Sequence, residues 1–148
     1  DRDVSTEIIS KLSNDYIKHL SSFNFLIDGT ISILKYLNGR YKLHIITNGF
    51  QEVQNLKLIN SGIDNFFDTI TNSEMAGVKK PNQKIFQLAI NKANADFNSS
   101  VMIGDNLEAD IQGALNLGMD AILFNYHKIN VPKGVNSINK LNQLKDYL

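Results

Sequence analysis

Val101-Met102-Ile103-Gly104-Asp105-Asn106-Leu107-Glu108-Ala109-Asp110 places three apolar residues, a glycine and two aspartates five positions apart in one short run. Val101 to Ile103 is wholly apolar, as a strand buried on both faces should be, and Gly104 lets the backbone pass closely at its tip. A helix is predicted from about Leu107 to Leu117, stopped by Gly118. Asp105 then stands at the strand tip, and Asp110 lies in the first turns of the helix, where it can face back toward that tip. Two acids near one point repel unless a proton or a hard cation separates them, and oxygen ligands with room for water suit Mg²⁺. The same residues also suit a plain capped helix, with Asp105 as the cap and acidic first-turn residues favouring the helix dipole.

The strand-then-helix alternation extends in both directions from this stretch. Downstream, Ala121-Ile122-Leu123-Phe124 makes another strand; a polar stretch follows from Asn125 to Asn136, and Leu141, Leu144 and Leu148 mark a terminal helix. Upstream, a helix is predicted near Asn82 to Ala93, a strand near Phe67 to Thr71, and a helix near Gln51 to Asn60 ending at Ser61-Gly62. Before these come a strand over Tyr41 to Ile46 and a helix over Gly29 to Leu37, with Asp28 placed to cap it and Asn38-Gly39 to end it. Ile8, Ile9, Leu12, Tyr16, Ile17 and Leu20 recur at helical steps, so Thr6 to Leu20 reads as an amphipathic helix capped by Ser5 or Thr6. This series implies right-handed crossovers and a mostly parallel sheet covered on both faces: an α/β, doubly wound, Rossmann-like fold.

Composition narrows the function. The chain has 148 residues with 15 Lys plus Arg against 15 Asp plus Glu, and no basic run longer than Lys79-Lys80. It therefore lacks the electrostatic footprint for tracking a nucleic acid or an anionic membrane. Asp1-Arg2-Asp3-Val4 is unlike a signal peptide and no apolar run is long enough to span a bilayer, so a cytoplasmic location is expected. The absence of cysteine excludes a thiol nucleophile, a disulfide framework and Cys-ligated zinc.

In open parallel sheets, ligands gather outside the carboxyl ends of the strands, which brings two further stretches into play. Thr47-Asn48-Gly49 follows the Leu43 to Ile46 strand and offers a hydroxyl and freed backbone N–H groups where a helix begins, although it also suits a plain turn. Gly77-Val78-Lys79-Lys80-Pro81 lies between the next strand and its helix. Pro81 biases Lys80 toward extended geometry, which aims its ammonium; the alternative is a solvated pair of lysines.

Hydroxyl after one strand, lysine after the next and an acid pair after the third: this order resembles the second, third and fourth motifs of the haloacid-dehalogenase-like (HAD) superfamily of phosphohydrolases. The likeness runs from about Ile27 to Lys128. Ile46-Thr47-Asn48-Gly49-Phe50, Ser61-Gly62-Ile63, Ser73-Glu74, Gly77-Val78-Lys79-Lys80-Pro81 and Gly104 to Asp110 look most like its pyrimidine-nucleotide 5'-phosphatase branch. The resemblance implies an Mg²⁺-dependent phosphomonoesterase acting on small phosphorylated metabolites, with nucleoside monophosphates favoured, through an aspartyl-phosphate intermediate. By the same resemblance Thr47 donates its hydroxyl and Asn48 a backbone N–H to phosphate oxygens. Lys80 neutralises charge on nucleophile and phosphoryl group, Asp105 ligates Mg²⁺ and Asp110 supports it.

The sequence departs from the family in one respect. Members carry a nucleophilic aspartate and a general acid/base aspartate in an Asp-x-Asp-x-Thr motif after a central first strand, and no such motif precedes Thr47. Leu26-Ile27-Asp28-Gly29-Thr30 copies only its tail, with Leu26 in the nucleophile's place and Asp28 read as a helix cap. Residues 1–22 are thus expected to be the end of a helical cap domain and residues 23–148 an α/β core that lacks its first central strand. A catalytically incomplete binding module and a haloacid dehalogenase are the competing readings; the second has no need of the Asp105–Asp110 pair. His19, His44 and His127 share no ligand spacing, and Phe23, Phe25, Phe66, Phe67 and Phe86 are expected in the core.

Overall fold

The computed structural model describes residues 5–148, without the side chain of Ser21. The four residues on which the absence of a leader was read lie outside that range. Helix α1 spans Thr6–Ser22, with the Ser5 hydroxyl accepting from Ile8 N–H at its start. Then follow α2 (Thr30–Leu37), β1 (His44–Thr47), α3 (Gln51–Asn60), β2 (Thr69–Asn72), α4 (Ser73–Ala76), α5 (Gln83–Ala93) and β3 (Val101–Gly104). A π-helical segment, Leu107–Gln112, runs into the single turn α6 (Gly113–Leu115), and β4 (Asp120–Phe124), β5 (Asn136–Ile138) and a 3₁₀ segment (Leu141–Asp146) complete the chain. Gly118, at φ 75°, ends the helical run after β3 in the left-handed conformation glycine adopts freely.

The strands form two parallel sheets among the described residues: β1 beside β2, and β3-β4-β5 with β4 central. The α/β class and the parallel sense follow the sequence reading, and so does the opening between β1 and β3. Where a wholly buried Val101 to Ile103 was expected, all four residues of β3 are half-buried, as are all four of β1. Both strands have a neighbour on one side only.

Alternation along β4 sends successive side chains to opposite faces. Ala121 and Leu123 join Ile85, Phe86, Ile90, Ile111, Ala114 and Met119 beneath α5 and α6, while Ile122 and Phe124 join Ile33, Leu37, Ile138 and Leu144 beneath α2 and the 3₁₀ segment. A strand with a core on each face is the doubly wound arrangement. Among the described residues no helix is long and apolar enough to cross a membrane.

Several local expectations are corrected. The residue capping α2 is Gly29 at φ 87°, with no side-chain cap bond, so Asp28 is exposed and does not cap. The Thr30 hydroxyl donates to the Ile27 carbonyl at 2.7 Å, which fixes the turn before the helix without capping it. The terminal helix is a 3₁₀ segment, and the polar stretch before it ends in the short strand β5, paired with β4 from Ile122↔Asn136 to Phe124↔Ile138. Phe23 and Phe25 are 61% and 90% exposed rather than in the core, whereas Phe86 is fully buried.

Phe86 thus fills the centre of the larger core, with the edge of its ring beside Gly113, where an added Cβ would come within 2.9 Å. Phe86→Ala should destabilise the chain by about 3–5 kcal/mol in urea denaturation. A loss below about 1 kcal/mol would mean that this core is not the one that holds the fold.

Candidate active site

Two strand ends meet around one lysine. Lys80 precedes Pro81, across a cis peptide bond, in the loop that leads to α5. Its side chain turns inward, only 10% exposed, while neighbouring Lys79 is exposed. The Lys80 Nζ donates to the Ile46 carbonyl at 2.7 Å and pairs with Asp110 Oδ1 at 2.6 Å. Leu43 turns its carbonyl toward β2, accepting from Asp68 N–H at 2.8 Å. Carbonyl directions alternate along a strand, so Ile46 faces the other way, into the opening beside β1. One ammonium therefore ties the end of β1 to the residues that follow β3.

Asp110 is 4% exposed and reaches this position through the π-helical segment. Both Asp110 and Ile111 donate backbone N–H to the Asn106 carbonyl, the second being the wider contact that defines a π turn. The Asp110 Oδ2 accepts from Asn106 N–H at 3.1 Å, so its carboxylate folds back over the strand tip. That fold-back needs glycine at position 104, where a Cβ would stand 2.3 Å from Asp110 Oδ2. The helix start after β3 is capped by Asn106, whose Oδ1 accepts from Ala109 N–H at 2.7 Å, so the expectation of Asp105 as a cap is set aside.

Asp105 faces outward and pairs with His127 in the loop after β4, Nε2 to Oδ2 at 3.0 Å. The two acids thus have different partners: Lys80 for Asp110, His127 for Asp105. Among the described residues no group of three or more His, Asp or Glu is placed to hold a metal.

Thr47 Oγ1 accepts from Gly49 N–H at 3.1 Å, which tightens the turn after β1 and leaves the hydroxyl hydrogen to donate elsewhere. Asn48, expected to contribute only its backbone N–H, has its side chain on the Lys80 backbone. Ser73 Oγ donates to the Asn48 carbonyl at 3.0 Å, and Glu74 Oε2 accepts from Gln51 N–H at 2.6 Å at the start of α3. Lys80, Asp110 and Asn48 are therefore in direct contact, Thr47 joins them through its turn, and Asp105 stands at the rim with His127. The roles of the Asn48 side chain and His127 are not visible in the sequence, since each depends on a distant partner brought in by the fold; Asn106 instead caps a residue three positions on, a local pattern that the sequence does carry. Beside His127, Tyr126 forms one wall of an open cavity of ≈ 620 Å³ that also touches Phe25, Asp28, Phe124, Lys140 and Asn142.

Known proteins resemble this chain in sequence and fold. The chain is 36% identical over 141 residues to pyrimidine 5'-nucleotidase YjjG of Escherichia coli, covering 90% of this chain and 63% of that protein. It is 43% identical over 88 residues to glyceraldehyde 3-phosphate phosphatase of Pyrococcus abyssi, covering 60% of this chain and 37% of that one. The solved structure of the putative HAD-hydrolase YfnB from Bacillus subtilis, bound to magnesium, superposes with a TM-score of 0.84 at 31% identity, over 94% of this chain and 62% of that one. The chain spans less than two thirds of the length of each of these relatives. Residues 2–124 match the family description "Haloacid dehalogenase-like hydrolase", and with the fold in agreement, the chain belongs to the haloacid dehalogenase-like hydrolase family.

Proposed function

We propose that this chain forms the larger part of a cytoplasmic, Mg²⁺-dependent phosphomonoesterase whose favoured substrates are nucleoside monophosphates. The observation that carries this reading is the buried Lys80 ammonium, paired with Asp110 at 2.6 Å beside the Thr47 turn. A phosphate ester before an attacking carboxylate is a meeting of like charges, and fixed positive charge and hydrogen-bond donors must be in place for attack to occur. The Thr47 hydroxyl and the Asn48 backbone N–H would donate to phosphate oxygens, and Lys80 would offset charge on the phosphoryl group. The attacking carboxylate and the general acid/base would come from a segment outside the 148 residues, seated between β1 and β3.

Asp105 and Asp110 would hold Mg²⁺. The fit rests on the donors themselves, carboxylate oxygens with no soft ligand among them, on either side of the strand tip. Bound there, the cation would supply positive charge against the phosphate. The cavity beside His127 has room for the organic part of a small substrate, lined by aromatic and polar side chains. Glyceraldehyde 3-phosphate stands as the second substrate class, on the 43% identity shared with the archaeal phosphatase.

Phosphate release from a pyrimidine nucleoside monophosphate and from glyceraldehyde 3-phosphate, at matched Mg²⁺, tests this reading. The 148-residue chain alone should release none, and release should appear when the segment bearing an Asp-x-Asp-x-Thr motif is supplied. Robust release by the chain alone would make Asp28 the first suspect as nucleophile and overturn the assignment. In the active protein Lys80→Ala should lower turnover by about 10²-fold or more and Lys79→Ala by less than about twofold; equal effects would refute the cradle. Independently of turnover, Mg²⁺ should raise the Tm of the wild-type protein and not that of Asp105→Asn, and an equal rise in both would exclude Asp105 as a ligand.

A further inference from the structure

We propose that the Asn48 carboxamide is a positioning residue: it clamps the backbone of Lys80, and so selects which of two adjacent lysines turns its ammonium into the site. The role in phosphate binding rests on the phosphatase reading above; the clamp itself rests on geometry alone. Lys80 N–H donates to Asn48 Oδ1 at 2.7 Å, and Asn48 Nδ2 donates to the Lys80 carbonyl at 3.2 Å. One partner is an obligate donor and the other an obligate acceptor, which fixes the orientation of the amide. A carboxamide carries both functions on one planar group and satisfies both peptide groups of a single residue across 32 positions of sequence.

Lys80 needs such a partner. It stands in the loop before α5, outside any helix or strand, and the residue after it is a proline with no N–H to offer. Among the described residues nothing else bonds to the Lys80 backbone N–H or carbonyl. The clamp is itself anchored, because Ser73 Oγ holds the Asn48 carbonyl at 3.0 Å. The turn after β1 thereby dictates the direction in which the chain at residue 80 departs. Lys79 has the same side chain and no such clamp on its backbone, and it is exposed.

A residue that acts through Lys80 can matter only while Lys80 is present. With inorganic phosphate as the probe, affinity is measured for the wild-type chain, Asn48→Ala, Lys80→Ala and the double variant. Asn48→Ala should weaken binding by about tenfold, and adding it to Lys80→Ala should change affinity by less than about twofold. Multiplying effects would overturn the proposal, since a residue that merely supports the fold weakens both backgrounds alike. A second readout needs no anion: the side-chain ¹⁵Nζ resonance of Lys80, identified by its loss in Lys80→Ala. It should broaden or vanish in Asn48→Leu, which loses both the donor and the acceptor at similar size and adds no charge. An unchanged resonance in Asn48→Leu would refute the clamp. Failure of every protein to bind phosphate, with the segment bearing the Asp-x-Asp-x-Thr motif supplied, would refute the phosphatase reading and leave the clamp to be decided by this resonance.

Discussion

A single ammonium, held at 2.7 Å by a β1 carbonyl and at 2.6 Å by a buried carboxylate after β3, links two separate sheets. Its side chain is 10% exposed and that of Asp110 is 6% exposed, so water screens the pair little. A buried ion pair of this kind adds little net stability over an apolar filling, but removing one partner strands a charge and costs about 3–5 kcal/mol. It therefore acts as a constraint on geometry more than as a source of stability. The Asn48 clamp, the π-helical segment that turns Asp110 back, and the bare Gly104 beneath it all bring those two charges together.

That constraint also accounts for the unequal burial of the strands. β4 has a neighbour on each side and a core on each face, and four of its five residues are buried. β1 and β3 face the opening between the sheets and are half-buried throughout, with backbone groups such as the Ile46 carbonyl that no strand pairs. An exposed ladder edge is a ready site for another strand. The Lys80 ammonium occupies one position on that edge, the Ile46 carbonyl. Across the molecule, α1 packs against α3 yet leaves Ile8, Leu12 and Tyr16 each more than half exposed.

Much of this was legible in the sequence. Helical periodicity marked α1, α3 and α5 to within a residue or two, because each carries a clear apolar stripe and a cap or a glycine stop. The order Thr47, Lys80, Asp110 was readable because strand tips in a parallel sheet share one edge. What escaped was set by short range or by long range. Three residues, Asn136–Ile138, are too few to show a strand's alternation, and a π turn differs from an α turn only in which carbonyl accepts. Asp28 has the chemistry of a cap, but a left-handed Gly29 starts α2 and puts the carboxylate outside it. His127 and Asp105 are 22 residues apart and meet only because the loops after β3 and β4 emerge at the same sheet edge. Asn48 looked like a backbone donor in a turn; that its amide matches both peptide groups of Lys80 is a fact of three-dimensional placement.

Lys80 and Asp110 act as one buried unit joining the two sheets, and a double-mutant cycle in urea denaturation reads this out, with Lys80→Ala, Asp110→Ala, the double variant and Asp105→Ala as the exposed control. Asp110→Ala should lose about 3–5 kcal/mol, the double variant should be no worse than the worse single, and Asp105→Ala should change stability by no more than about 0.5 kcal/mol. Additive single losses, or a cost for Asp105→Ala equal to that for Asp110→Ala, would contradict that coupling.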